Sequence, residues 1–301
     1  MRNKIIFIIV TIIIVFIILR LFIRIESKDN EQSPTKLSEI GVLLYFEGNY
    51  DDAVGYLTKA ADLGDSQAQT FLGICYRYGQ GVKQNDSIGA EWYRKAAMQG
   101  DSVAQYNLSN YYFSKYDSIE GVRWLMKAAN NSMLQAQYEM GLLYQYGTIV
   151  TQDSSLAAEW YMKAALHGHS NAEYRTGMCY EYGIGQEKND SLAARWYETA
   201  VENDQNPEAL FALARYHEEG KGGFVRNDTI AAQLLLKAAQ LGHSDAQFKL
   251  SIFYSAGRGG PKDAEKSSAW MLKAAQQKNK AALNVMEQLP DSIKQQFKGF
   301  Y

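Results

Sequence analysis

From residue 66 onward, apolar side chains fall into two alternating stripes, each at helical spacing, with glycines where a stripe ends. Alanines at 68, 104, 136, 172, 209 and 246 open the first stripe, separated by 36, 32, 36, 37 and 37 residues. Two residues on stands an aromatic, at Tyr106, Tyr138, Tyr174, Phe211 and Phe248, with Thr70 as the exception. Four on comes a larger apolar residue, at Leu72, Leu108, Met140, Leu213 and Leu250. Five on comes a small one, at Gly73, Ser109, Gly141, Gly177, Ala214 and Ser251. Eight on comes a ring, at Tyr76, Tyr112, Tyr144, Tyr180, His217 and Tyr254. These intervals put one stripe on one face of a helix, and the small residue lets a partner helix approach closely.

A glycine turn follows, as Gly79-x-Gly81, Gly183-x-Gly185, Gly220-x-Gly222 and Gly257-x-Gly259. Each leads to an acidic residue, Asp86, Asp190, Asp228 or Asp263, suited to capping a second helix. That helix carries Trp92-Tyr93-Arg94-Lys95-Ala96-Ala97, repeated as Trp124 to Ala129, Trp160 to Ala165 and Trp270 to Ala275. Gly64, Gly100, Gly168 and Gly242 stand just past it, where a left-handed backbone is needed. Each unit is therefore a helix hairpin that cannot bury its apolar face alone, and neighbours must stack. Two copies depart from the pattern. Ser114-Lys115-Tyr116-Asp117 replaces one glycine turn and shortens that period, and Ile149 takes a second-glycine position after Gly147.

The combined pattern, A-x-Y-x-L-G-x-x-Y-x-x-G-x-G, then D, then A-x-W-Y-x-K-A-A-x-x-G, resembles the Sel1-like repeat, a relative of the tetratricopeptide repeat. The resemblance covers residues 66–285, and residues 36–65 resemble a shorter tetratricopeptide-like unit around Gly48-Asn49-Tyr50-Asp51 and Lys59-Ala60-Ala61. It implies an all-α, right-handed solenoid of antiparallel helix hairpins, curved to present a concave face, and a scaffold that binds a protein or peptide. Residues 286–301 are expected to cap or trail the array, with Ile293, Phe297 and Phe300 covering its last apolar face.

The first residues have a different pattern. A short positive head, residues 1–4, precedes an apolar run from Ile5 that reaches Ile23. As a helix the run spans about 28 Å, close to the hydrocarbon thickness of a bilayer. The bulky Leu21-Phe22-Ile23-Arg24-Ile25 offers no small-residue cleavage site, so residues 5–23 are expected to be a single-pass transmembrane signal anchor and 24–35 a linker. Arg2 and Lys4 lie before the run and Arg20, Arg24 and Lys28 near or after its end, so charge does not fix the orientation. A signal-anchor topology places the repeats on the extracytoplasmic, periplasmic side.

Composition narrows the remaining chemistry. A net charge of −2 provides no basic footprint for nucleic acid. The only cysteines, Cys75 and Cys179, occupy the same register three repeats apart and read as buried free thiols. His167, His169, His217 and His243 form no ligand-spaced cluster, and His169 and His243 fill a slot held by Asp65 and Asp101 in other copies, so they read as turn or cap residues. The glycine turns lack the preceding strand and the following Lys-Ser of a phosphate loop. No nucleophile elbow is present. We expect no catalytic residue, no metal and no cofactor.

By analogy with tetratricopeptide geometry, partner-binding residues belong three, six, nine and ten positions after each opening alanine. These are Phe71, Ile74, Arg77 and Tyr78; Glu139, Leu142, Gln145 and Tyr146; Arg175, Met178, Glu181 and Tyr182; Arg215, Glu218 and Glu219; and Lys249. Arg and Tyr are favoured at binding hot spots. An adaptor, an inhibitor or regulator of one partner (immunity-type or signalling), and a structural spacer all fit this pattern. A hidden cell-wall hydrolase would need a polar constellation breaking the repeat, and none is visible.

Overall fold

The computed structural model describes residues 33–288, which form fifteen helices and no strand. The anchor expected at 5–23 and the tail with Ile293, Phe297 and Phe300 lie outside the described residues. Among those described, no helix is long and apolar enough to cross a membrane. The helices pair as α1 (Pro34–Phe46) with α2 (Tyr50–Asp62), α3 (Ser66–Tyr78) with α4 (Asp86–Met98), and α5 (Ser102–Ser114) with α6 (Ser118–Asn130). The next pairs are α7 (Leu134–Tyr146) with α8 (Ser154–Ala165) and α9 (Ser170–Tyr182) with α10 (Asp190–Asp204). They are followed by α11 (Pro207–Glu219) with α12 (Asp228–Gln240), α13 (Ser244–Ala256) with α14 (Ala264–Gln276), and the single α15 (Lys280–Glu287). Two compact units result, one holding α1–α6 and the other α7–α15. Within each, the second helix of a hairpin packs on the first helix of the next.

The opening alanines are fully buried, as are Leu72, Leu108 and Met140 four residues on and Tyr93, Tyr161 and Tyr197 of the second helices. The small residue five positions on explains the fit. A methyl group on Gly73 would stand 2.6 Å from the Tyr93 ring, and on Gly177 2.5 Å from the Tyr197 ring. The pattern continues into α15, which places Ala282 and Met286 in the buried alanine and four-on positions.

Capping fixes where each helix starts. Asp65, Asp101, His169, Asn206, His243 and Asn279 each accept the amide three residues on, at 2.7–3.2 Å. For His169 the accepting atom is Nδ1, and Nε2 is left to donate to Gln135 Oε1 at 3.1 Å. Burial holds both histidines below their ordinary pKa, which keeps the capping nitrogen unprotonated. The second helices correct one expectation. Asn85, Asn189 and Asn227 are the caps, and Asp86, Asp190 and Asp228 are the first helical residues; Asp263 alone caps as anticipated. The amide oxygen of asparagine supplies the cap, and the aspartate adds its charge to the positive end of the helix.

The two glycines of each turn have separate reasons. Gly79, Gly183, Gly220 and Gly257 close their helices in the left-handed conformation. The second glycine touches the preceding hairpin, since a Cβ on Gly185 would collide with the Ser154 carbonyl and one on Gly259 with that of Asp228. In the short copy Tyr116 takes the left-handed conformation instead (φ 61°), and three residues, 115–117, replace the seven of 79–85. The turns between hairpins are left-handed at Gly64, Gly100, Gly168 and Gly242, but also at Ser132, Gln205 and Lys278.

A side-chain ladder crosses from hairpin to hairpin. Buried Gln69, Gln105 and Gln247 donate to the carbonyls of Ala61, Ala97 and Ala239 at 3.0–3.1 Å. Their own oxygens accept from Gln99, Asn131 and Gln277 of the following turn. The cysteines, Cys75 and Cys179, are buried and free, and burial pushes both thiols up to about 11.

Candidate functional site

The residues three, six, nine and ten after each alanine lie on the first helices, and at position nine Gln145 and Glu181 reach the second-helix tyrosines Tyr161 and Tyr197. In the unit holding α1–α6, Phe71, Ile74 and Arg77 are half-buried and Tyr78 is exposed. Phe71 packs edge-on against Tyr45 and Phe46 at 5.2 and 5.7 Å. Arg77 reaches Asn107 of the next hairpin at 3.4 Å and lies 5.6 Å from the Tyr78 ring.

In the unit holding α7–α15 the strip is richer in charge. Glu139 accepts from Gln135 at 2.8 Å, Leu142 is half-buried, and Gln145 accepts from the buried Tyr161 hydroxyl. Arg175 lies against the Met178 sulfur at 3.9 Å. Tyr146 and Tyr182, ten positions after their alanines, are 58% and 57% exposed. Glu219 is also exposed.

Two ion-pair clusters join consecutive first helices. Glu181, on α9, pairs with Arg215 on α11 at 2.6 Å and with Lys221 of the following turn at 3.1 Å, and it accepts from Tyr197 at 2.7 Å. Burial pushes its carboxyl up, but the bonds from Arg215, Tyr197 and Lys221 outweigh that and hold it below its ordinary value. Glu181 is 1% exposed, so it orients Arg215 and does not itself face solvent as its register implied. Glu218, on α11, pairs with Lys249 on α13 at 2.6 Å and Arg258 at 2.8 Å. Burial raises its carboxyl, and the same two cations more than reverse the shift.

Lys221 and Arg258 were not anticipated, because they lie within glycine turns that read from the sequence as connectors only. Phe211 and Phe248 read as part of the core stripe, yet both are only half-buried and border an open cleft with Ile252. Ile252 is six positions after Ala246, so the register itself identifies it.

The Sel1 repeat model matches seven consecutive segments, residues 38–65, 66–101, 102–133, 134–169, 170–205, 207–243 and 244–279. The chain belongs to the Sel1 repeat family. Sel1 repeat proteins are protein-interaction scaffolds, typically non-enzymatic. Among solved structures, the chain is similar to a protective antigen of uropathogenic Escherichia coli strains displaying an SLR fold. That match has a TM-score of 0.78 and 30% identity, covering 89% of this chain and 60% of the antigen. A Sel1 repeat protein from Oxalobacter formigenes matches with a TM-score of 0.69 and 30% identity, covering 79% of this chain and 96% of that one. Among curated proteins, the chitin synthase regulator SKT5 of Saccharomyces cerevisiae is 31% identical over 139 residues, 41% of this chain and 20% of the regulator. The matches span 11% to 28% of the curated relatives' own length, so the likeness is one of repeats.

Proposed function

We propose that this Sel1 repeat chain captures a protein or peptide partner on the exposed face of its first helices, and that residues 5–23 hold it at a membrane with the repeats on the extracytoplasmic side. One observation carries the first part. In the unit α7–α15, Glu181–Arg215 and Glu218–Lys249 fix the charged side chains of consecutive first helices against one another, and Tyr146, Tyr182 and Glu219, each ten positions after its alanine, stand exposed. Side chains already ordered lose less freedom on binding, and exposed tyrosines supply large contact area with few rotatable bonds. The apolar run Ile5 to Ile23 supports the membrane part.

In-cell crosslinking of the full chain, followed by identification of enriched proteins, tests the reading. One or two partners should be lost on combined Tyr146→Ala, Tyr182→Ala and Glu219→Lys substitution with the helical circular dichroism unchanged. Partners that survive the triple substitution would place binding elsewhere, and self-crosslinks alone would favour a structural spacer. Resistance of the protein to carbonate extraction from membranes checks the anchor. A second reading, regulation or inhibition of one partner, is favoured by the likeness to a chitin synthase regulator. An activity change in the captured partner on adding the purified protein separates regulation from adaptor function.

A further inference from the structure

Three second helices bury a tyrosine, Tyr93, Tyr161 or Tyr197, against the small residue of the first helix. Tyr161 and Tyr197 donate their hydroxyls to the residue nine positions after the opening alanine, Gln145 or Glu181. In the α3–α4 hairpin that residue is Arg77, which has donors only. Tyr93 is 1% exposed, and its hydroxyl finds no acceptor. Burial raises the Tyr93 pKa, and the Arg77 charge beside it opposes the rise. Arg77 in turn lacks a counter-charge. Among the described residues it makes no ion pair; it donates to Asn107 Oδ1 at 3.4 Å, and Asn107 is held by donating to the Val103 carbonyl at 3.0 Å. Neither α3 nor α5 contains an Asp or Glu, and the turn 79–85 adds only Lys83. Of the acids on adjoining elements, Glu39 pairs with Lys36 at 3.7 Å, Asp117 caps α6, and Glu47 lies beyond the end of α1. The strip beside the cation is apolar. Phe46 is 64% and Tyr78 62% exposed, Phe71 packs edge-on against Phe46, and Ile74 lies between Phe71 and Arg77 along α3.

We propose that Arg77 receives the side-chain carboxylate of an acidic residue on a partner peptide, and that Phe46 and Phe71 receive an apolar side chain about three residues away from it. The chain itself supplies the template. One carboxylate oxygen of Glu181 accepts from both the buried Tyr197 and Arg215, at 2.7 Å each. The α3–α4 hairpin has the tyrosine and the arginine without the carboxylate. An incoming carboxylate supplies the counter-charge that Arg77 lacks, through the stronger, charge-assisted kind of hydrogen bond, whereas an incoming cation is repelled. The apolar subsite follows from rings that no side chain covers. Its distance follows from the helix: Phe71 and Arg77 are six residues, about 9 Å, apart along α3, and three residues of extended peptide span about 10 Å. This inference rests on the reading that the first-helix face receives a partner.

The test uses the full chain with 13C-labelled isoleucine methyls, the Ile74 signal being assigned by its absence in Ile74→Val. The probes are acetyl-Phe-Ala-Ala-Glu-amide, the same peptide ending in Gln or in Lys, and acetyl-Ser-Ala-Ala-Glu-amide. The first should shift the Ile74 methyl to saturation. The glutamine probe should bind about two- to fivefold more weakly, as expected for a solvent-accessible charge pair, and the serine probe should not saturate. Arg77→Gln gives Tyr93 the acceptor that Gln145 gives Tyr161, so the helical circular dichroism should be unchanged while the difference between the glutamate and glutamine probes disappears. Arg77→Glu should make the lysine probe the tightest of the four. Equal affinity of the glutamate and glutamine probes for the wild type, or a preference that persists in Arg77→Gln, would overturn the assignment. Inorganic phosphate that saturates the Ile74 shift at a lower concentration than the glutamate probe would overturn it in favour of a phosphate site. A free-protein Ile74 methyl that shifts with protein concentration would also overturn it and assign the strip to a second copy of the chain. Silence of the probes, together with loss of the crosslinked partner on changing Tyr146, Tyr182 and Glu219, would reject this site and keep the face. Survival of the partner in both that triple variant and Arg77→Gln would reject the face itself.

Discussion

At residue 173 a glutamate occupies the register that Gln69, Gln105 and Gln247 hold in other hairpins, and the difference should be measurable. Each of those glutamines donates its amide to a carbonyl eight residues earlier. The corresponding carbonyl here is that of Ala165, and an ionised carboxylate has nothing to donate to it. Glu173 is fully buried; Oε1 accepts from Asn203, and Oε2 has no hydrogen-bond partner. Burial raises its pKa, opposed by the Asn203 bond and assisted by the nearby Asp204 charge. Glu173→Gln keeps the acceptor for Asn203 and restores the donor, so at pH 7.5 it should stabilise the protein by about 1–3 kcal/mol, the usual cost of a buried unsatisfied polar group. The sign with pH follows from the raised folded pKa. Below the ordinary glutamate value both folded and unfolded states are protonated and the carboxyl can donate, so the variant gains nothing from ionisation. As pH rises from the ordinary to the folded pKa, the wild type loses about 1.4 kcal/mol per unit of separation, and above that the deficit is constant. Urea midpoints followed by circular dichroism between pH 4.5 and 8 should therefore diverge with rising pH. A variant that is less stable at pH 7.5, or an advantage independent of pH, would refute the reasoning.

Three further changes probe the backbone and the buried charge. Gln205→Gly relieves a left-handed turn held by a residue with a side chain (φ 47°) and should add about 0.5–1 kcal/mol, read as a raised thermal midpoint. Gly177→Ala forces a methyl group against the Tyr197 ring at 2.5 Å and should cost about 1–3 kcal/mol, read from the urea midpoint. Glu181→Ala strands the Arg215 cation, leaves Lys221 with Asp190 as its one carboxylate partner, and leaves the buried Tyr197 hydroxyl without its acceptor. It should cost about 3 kcal/mol, and Arg215→Met in the same chain should recover part of that loss in a double-mutant cycle.

The hairpin fold was legible because its determinants are local and recur. The buried alanine, the larger apolar residue four positions on and the small residue opposite a tyrosine repeat with a period the eye can follow. The histidine caps were legible for the same reason, since His169 and His243 share a slot with Asp65 and Asp101. The cap of the second helix was misread by one residue, because Asn85-Asp86 offers two capping side chains in succession and only backbone geometry decides between them. The charged clusters were half legible. Register identified Glu181, Arg215, Glu218 and Lys249 as belonging to one face, but not that Glu181 would be covered by Arg215, Lys221 and Tyr197. Arg258 escaped because its position in a glycine turn has no helical period to mark it. Phe211 and Phe248 escaped because a side chain in a core stripe gives no sign that the next hairpin leaves part of its ring uncovered.

The glutamine ladder has a mechanical consequence. Gln99 grips Gln69 and the Gly64 carbonyl, Asn131 grips Gln105 and the Gly100 carbonyl, and Gln277 grips Gln247, each reaching back about one repeat. Such rungs share load only with their neighbours. Under tension along the chain, the outermost rung carries the strain of its own hairpin, and its failure leaves the next rung intact. Extension should therefore proceed in steps, each releasing a hairpin of 32–37 residues, or up to about 120 Å of chain. A protein built this way can lengthen under a pull on one end while the hairpins farther along stay folded around whatever they hold.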